Sequence, residues 1–196
     1  MSTLHSILVP IDGSPNDDTL LDFAVERARQ SGARITVAHA VDYTVAVLPT
    51  PEAMYNPAPL LAALEDESKA MLSAAAQRVR SAGVGSLEVV QLEGAVTAAL
   101  VDYLREHSFD AVIMGTHGRA GFERLFLGST AEGVVRSGLV PVFLLRCLDG
   151  AACKTPPLER LLVAVDPGGH PKCTGRGRLK MYQGSVATFG LKVYHR

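Results

Sequence analysis

Short apolar runs alternate with longer helix-type segments over the first 146 residues, and this alternation limits the folds that the chain can adopt. Five runs have the length and apolar character of buried strands and stop at turn-forming or charged residues. They are Ser6–Ser14, Ala33–Asp42, Ser86–Gly94, Asp110–Gly115 and Val140–Arg146. Strands that alternate with helices predict a parallel sheet with right-handed crossovers and helices on both faces. We therefore expect an α/β fold.

The segments between the predicted strands carry apolar residues at helical spacing. In the first of them, Asn16–Asp18 offer caps and N-terminal acids, and Gly32 can end the helix. Its inner face is Leu21, Ala24, Val25 and Ala28. In the second, Ala58–Gly83, the inner stripe is Leu61, Leu64, Met71, Leu72, Ala75 and Val79. A third helix-type segment covers Val96–Phe109, and a short fourth helix is predicted to begin near Ala131.

Composition and charge exclude several classes of protein. Apolar residues make up 47% of the chain and aromatic ones 6%, so a packed core of Ala, Val, Leu and Ile is expected. The net charge of −1 gives no bias towards nucleic acid or membranes, and no uncharged apolar run approaches the length of a membrane helix. The N-terminal sequence reaches Asp12 before a signal-like apolar core forms, and three cysteines do not suggest a disulfide framework. These features predict a cytoplasmic protein with no membrane, nucleic-acid or metal site.

The position of a ligand site follows from the predicted topology. In open parallel sheets, ligands bind beyond the carboxyl ends of the strands, where the strand order reverses. A first strand near the middle of five places that reversal beside itself. The relevant loops are then DGSPNDD after the first strand and the long glycine-rich loop after the fourth.

The glycine-rich loop has the features of an anion site. Three of its glycines permit close approach of another group to the backbone: Gly115, Gly118 and Gly121. Gly128 then leads through Ser129 and Thr130 into a helix, whose first N–H groups and dipole favour an anion. Arg119 and Arg124 add positive charge. The pattern indicates a phosphate site, although a capped helix after a flexible loop would use the same residues.

Three common alternatives fit the sequence poorly. It contains no G-x-x-x-x-G-K-[ST] string and no G-x-G-x-x-G after an early strand. A response-regulator receiver would carry a phosphoacceptor Asp after the third strand, which here ends in Glu93.

The spacing Gly115-x2-Gly118-x9-Gly128-Ser129 resembles the glycine signature of the universal stress protein family. The resemblance extends to ILVPIDGS, HAVD, MGTHGR and GSTAEGVVRSGLVPVFLLR, and covers residues 5–146 in the expected order. It implies a five-stranded parallel sheet of order 3-2-1-4-5 with helices on both faces, of the adenine nucleotide alpha hydrolase-like or Rossmann-like class. It also implies the ATP-binding branch, since branches without the signature do not bind ATP.

The resemblance assigns site residues as well. The backbone of Pro10, Ile11 and Asp12 would flank the nucleotide, with Asp12 on the ribose or phosphate side. Ala40 would offer backbone contacts to adenine, and Met114 and Gly115 would line the base and ribose. The phosphates would be held by Gly118, Arg119, Gly128, Ser129 and Thr130. The sequence departs from the family at Gly94-Ala95-Val96, where members often have a proline after the glycine.

Other interpretations of Asp12, and of a histidine within the glycine signature, stay open. Asp12 can be a turn residue that binds its own backbone, and His117 can be a structural loop histidine. An ATPase also needs a group that orients the attacking water, and the sequence offers no clear one.

The resemblance implies a cytoplasmic, nucleotide-dependent regulator of stress response that binds ATP, with or without Mg²⁺, and acts through protein partners. A homodimer through the edge of the fifth strand is the expected assembly. The alternatives are a slow ATPase or nucleotidyl transferase at the same site, or an interaction scaffold without nucleotide.

The remainder of the chain differs in kind. Pro167 to Arg196 contain six Lys or Arg and no Asp or Glu, which leaves residues 1–166 with a net charge of −7. Leu162–Asp166 (LVAVD) matches Leu8–Asp12 (LVPID) at an offset of 154 residues. We expect a universal stress protein domain over residues 1–148 and a linker over 149–158. Residues 159–196 would be the first strand of a truncated second repeat with a basic, partly disordered tail.

Overall fold

The computed structural model describes residues 4–43, 57–115 and 128–145. Within them, strands and helices alternate as the sequence predicts. In chain order they are β1 (Ser6–Pro10), α1 (Asp17–Ser31), β2 (Arg34–Val41), α2 (Ala58–Ser81), β3 (Leu87–Glu93), α3 (Val96–Glu106), β4 (Ala111–Gly115), α4 (Ser129–Ser137) and β5 (Val142–Leu145). Each strand lies inside its predicted run. The two predicted domain boundaries, after residues 148 and 158, lie outside the described residues and stay predictions.

The strands form one parallel sheet of order β3-β2-β1-β4-β5. This order confirms the α/β fold class and the topology that the family resemblance implied. β2 and β4 lie on opposite sides of β1. From β1 to β3 the chain adds strands on one side of β1, and β4 and β5 are then added on the other side. The reversal of strand order is therefore beside β1.

The central strands supply two separate cores, one on each face of the sheet. Side chains alternate between the faces of a strand, so Ile7 and Val9 of β1 join one core while Leu8 joins the other. The first core is closed by α1 and α2, and the second by α3 and α4. Ile7, Leu8 and Val9 have no exposed surface, which explains why β1 is a continuous apolar run.

The two helices on the first face differ in how fully they pack. All four residues of the predicted inner face of α1 are buried, and the helix ends at Gly32 with φ of 75°. In α2, the predicted Leu72, Ala75 and Val79 are buried, together with Ser68 and Ala76. The remaining members of the stripe are only half-buried: Leu61, Leu64 and Met71. With 24 residues, α2 is about 36 Å long, which exceeds the length of the strands that it covers.

On each face of the sheet, the two covering helices contact each other. Arg78 of α2 donates two hydrogen bonds to the carboxylate of Asp22 in α1, at 2.9 and 2.8 Å. On the other face, α3 and α4 touch where Gly133 faces Thr97, and a Cβ at residue 133 would collide with Cγ2 of Thr97. The helix-type segment Val96–Phe109 ends earlier than the sequence suggested, at Glu106, because His107 adopts an extended conformation.

Among the described residues, no helix is long and apolar enough to cross a membrane.

Candidate functional site

The residues assigned to the front of the site lie together at the carboxyl edge of the sheet. In the pairing of β1 with β2, Pro10 is opposite Ala38. Continuing this register by two residues brings Asp12 level with Ala40. Neighbouring strands are about 4.8 Å apart, so the backbones at the ends of β1 and β2 lie side by side at this edge of the sheet.

The end of β4 lies at the same edge of the sheet, next to β1 on the side opposite β2. Leu8 is opposite Val112, and the same register brings Pro10 level with Met114, which is followed by Gly115 at the end of β4. The Met114 side chain is only 5% exposed and packs in the core under α3 and α4. This residue therefore presents backbone rather than side chain to the edge.

The peptide groups of Ala40 point towards the end of β1. Ala38 accepts a hydrogen bond from the N–H of Ile11 at 2.9 Å, whereas Val41 accepts one from the N–H of Gly94 on the β3 side. Alternate residues of a strand direct their peptide groups to the same neighbour. Ala40 therefore shares the orientation of Ala38 and faces the space beyond β1, as a backbone contact to a ligand requires.

The turn after β1 is tight and internally bonded. Gly13 has φ of 77°, in the region that favours glycine. Oδ1 of Asp12 accepts a hydrogen bond from the N–H of Ser14 at 3.1 Å. The interpretation of Asp12 as a turn residue is thus confirmed, and this bond fixes the direction of its carboxylate.

A second carboxylate, that of Asp17, reaches back from α1 onto the same turn. It accepts hydrogen bonds from the N–H of Gly13 at 2.7 Å and from the N–H of Asp12 at 3.4 Å. Burial, and then the negative charge of Asp12, raise the pKa of Asp17 to about 6, although the two backbone donors act in the opposite direction.

The sequence located Asp17 only as one of several acids at a helix start. The N-cap position is held by Asn16, whose side chain makes no capping hydrogen bond. The contact of Asp17 with the turn was missed because it depends on the positive φ of Gly13. An acid four residues after a D-G pair was the available signal.

The start of α4 is the second part of the candidate site. Crossover helices run back from the carboxyl ends of the strands, so α4 begins at the same edge. The first α-helical hydrogen bond of α4 runs from the N–H of Glu132 to the carbonyl of Gly128. Three N–H groups before that bond have no acceptor within the helix and point out of its start. They belong to Ser129, Thr130 and Ala131.

The starts of α1 and α4, two helices on opposite faces of the sheet, differ in charge. The first turn of α1 contains Asp17 and Asp18. The first turn of α4 contains Glu132, which is paired with Arg136 at 2.6 Å. The positive end of the α4 dipole is therefore better suited to an external anion.

Two predicted site residues, Gly118 and Arg119, lie outside the described residues, as do Gly121, Arg124 and His117. Their roles stay predictions. In the part of the chain that the structure describes, no three His, Cys, Asp or Glu side chains are grouped as a metal site would require.

Known proteins resemble the chain over this same region. The sequence model of the universal stress protein family matches residues 3–146. A universal stress protein of Methanocaldococcus jannaschii is 27% identical over 140 residues, which are 71% of this chain and 81% of that protein. One of Mycobacterium tuberculosis is 32% identical over 142 residues, 71% of this chain and 43% of that protein. A crystal structure of a universal stress protein in complex with cAMP is 25% identical with a TM-score of 0.54, and covers 74% of this chain and 98% of that one.

Proposed function

Because the chain belongs to the universal stress protein family, we propose that it binds ATP at the carboxyl edge of its sheet and acts as a nucleotide-dependent regulator of stress response. The feature that carries this proposal is the start of α4 at the same edge of the sheet as the ends of β1, β2 and β4. The helix start favours phosphate, since its one first-turn acid, Glu132, is paired with Arg136. The strand ends offer backbone groups to a base and a ribose.

The adenosine half of the ligand would occupy the strand ends. Ala40 would meet the adenine through its peptide groups, and the backbone of Pro10, Ile11 and Asp12 would flank the ribose. Met114 would contribute through its backbone, since its side chain is in the core. Support for an adenine nucleotide comes from the related structure that contains cAMP.

The phosphates would lie at the start of α4. Gly128 allows close approach of the chain to the ligand, and Ser129 and Thr130 add hydroxyl donors to the N–H groups of the first turn. Gly118 and Arg119 of the signature would complete this cradle. The triphosphate would carry Mg²⁺ or bind without it, in the cytoplasm.

Ser129→Asp tests the phosphate half of the site. An acid in the first turn suits the helix dipole, so the stability of the protein should be kept or raised slightly. The same charge repels a phosphate, and we expect ATP affinity to fall at least tenfold in titration calorimetry. Ser129→Asn is the matched control, since it has the same shape without the charge and should bind much more tightly than Ser129→Asp.

Two further measurements decide between ATP binding and the alternatives. Protein purified from cells is heated, and the released nucleotide is identified by chromatography. ATP turnover is then measured on the nucleotide-free protein. Absence of both released nucleotide and any thermal shift with ATP would reject the proposal, and rapid turnover abolished by Asp12→Ala would make the protein an enzyme.

A further inference from the structure

We propose that Asp17 is the positioning residue of the nucleotide site, and that the protein takes up a proton at Asp17 when a nucleotide binds. This inference rests on the proposed function and assigns a role to a residue outside the glycine signature. It is argued from the hydrogen bonds of the turn after β1 and from the charges around it.

Four hydrogen bonds close the turn from Asp12 to Asp17 on itself. The N–H of Asp17 donates to the carbonyl of Ser14 at 3.0 Å. The carboxylate of Asp17 accepts from Gly13 and Asp12, and that of Asp12 accepts from Ser14. Removing the Asp17 carboxylate releases the two bonds from the backbone of Asp12 and Gly13, so the position of the turn that carries Asp12 depends on Asp17.

The turn is anchored at both of its ends but not at Gly13. Ile11 is 6% exposed and bonded to β2, and Leu20 of α1 is 3% exposed. Gly13, between them, is exposed. The two fixed ends define where the turn can lie, and the carboxylate of Asp17 holds its exposed middle against α1.

Negative charges dominate the surroundings of Asp17 among the described residues. Asp12 faces it from the turn and Asp18 from the next position of α1, and both raise its pKa. Arg78 of α2 directs its charge to Asp18 and Asp22, at 3.3 and 2.8 Å.

The strands packed against α1 supply no compensating charge to Asp17. β1 and β4 contain no ionisable side chain. In β2, Arg34 is paired with Glu88 and His39 is bonded to Ser68. The proton that Asp17 binds near pH 6 is therefore the simplest way to reduce the repulsion between the two carboxylates.

A nucleotide adds further negative charge at the same edge of the sheet. Its phosphates favour the neutral form of Asp17 and raise the pKa of this carboxyl further. By linkage, proton binding and nucleotide binding then strengthen each other. Affinity should rise as the pH falls from 7.5 to 5.5, by about 2.5-fold for a shift of half a pKa unit and about sixfold for a shift of one unit.

The experiment compares the full-length wild type with Asp17→Asn, Asp17→Ala and the control Asp18→Asn. Affinity for cAMP and for ATP is measured by calorimetry between pH 5.5 and 7.5. Proton uptake is obtained at pH 6.5 from buffers of different ionisation enthalpy. The cAMP series is the cleaner one, because its phosphodiester does not titrate in this range.

We expect proton uptake and a pH-dependent cAMP affinity in the wild type and in Asp18→Asn, and neither in Asp17→Asn. Asp17→Ala, which also loses the acceptor for Gly13, should bind about tenfold more weakly than Asp17→Asn at every pH. Equal binding by these two variants would overturn the positioning role, and proton uptake retained in Asp17→Asn would overturn the proton coupling.

The outcomes separate this inference from the proposed function. A wild type that binds neither nucleotide at any pH overturns both. A wild type that binds nucleotide without taking up protons overturns the coupling alone. The Gly13 amide signal in NMR gives an independent check, since it should titrate near pH 6 in the wild type and not in Asp17→Asn.

Discussion

At the scale of single residues, the turn after β1 carries the main departure from what the sequence indicated. Asp12 was expected either to face a ligand or to bind its own backbone, and its bond to Ser14 shows that the second role is fulfilled. The two roles are compatible, because a carboxylate oxygen has two lone pairs. The charge of Asp17 affects the folding stability of the protein, and this effect can be measured without any ligand.

The folding stability should record the proton on Asp17. The folded protein binds this proton with a pKa of about 6, against 3.8 for the unfolded chain. Between these values the folded state holds more protons, so Asp17 favours folding at low pH and this contribution is lost as the pH rises through 6.

Asp17→Asn isolates the effect from that of the other carboxylates. Between pH 5 and 7.5, the free energy of unfolding of the wild type should fall by about 1 kcal/mol relative to the variant, with allowance for solvent screening of a half-buried group. Urea denaturation at several pH values measures this difference. Parallel pH profiles of the two proteins would contradict the prediction.

At the scale of elements, helix and strand positions were predictable because they follow from local patterns. Apolar runs and their turn residues located all five strands, and Gly32 marked the end of α1. The early end of α3 at Glu106 was not predictable, since the residues after it, His107 and Ser108, do not interrupt a helical pattern strongly.

The contact between α3 and α4 could not be predicted from any local pattern in the sequence. Gly133→Ala places a methyl group against Cγ2 of Thr97. Although alanine favours helix by about 1 kcal/mol over glycine, overpacking should make the substitution destabilising by about 1–2 kcal/mol. Thermal or urea unfolding measures the change.

Two matched variants identify the cause. In a Thr97→Ala background the methyl has room, and Gly133→Ala should become neutral or stabilising. Gly85→Ala, at a position with open space around it, should leave stability within about 0.5 kcal/mol. A destabilisation that persists in the Thr97→Ala background would exclude the helix contact as its source.

At the scale of the whole molecule, β5 is an edge of the described sheet, paired there with β4. The N–H of Val112 donates to the carbonyl of Pro141, so residues 141 and 143 direct their peptide groups to β4. The N–H groups of Val142 and Leu144 therefore point outwards. Such an edge is a template for pairing with a second chain.

We expect a homodimer formed through this edge. Light scattering after gel filtration should give twice the mass of one chain, and hydrogen exchange should show protection of the Val142 and Leu144 amides in the dimer. The amide of Phe143, which faces β4, is the internal control and should be protected in every state. A monomer at all concentrations, or a dimer whose Val142 and Leu144 amides exchange freely, would refute this assembly.

The sequence by itself determined the α/β class, the positions of the strands and the family, because these depend on periodicity and on glycine spacing along the chain. Only the tertiary structure decided which groups meet. The carboxylate of Asp17 reaches Gly13, the peptide groups of Ala40 turn towards the end of β1, and Gly133 touches Thr97. These contacts depend on a positive φ, on strand register and on helix crossing. Each of these is set by how the elements pack and leaves no repeating pattern in the sequence.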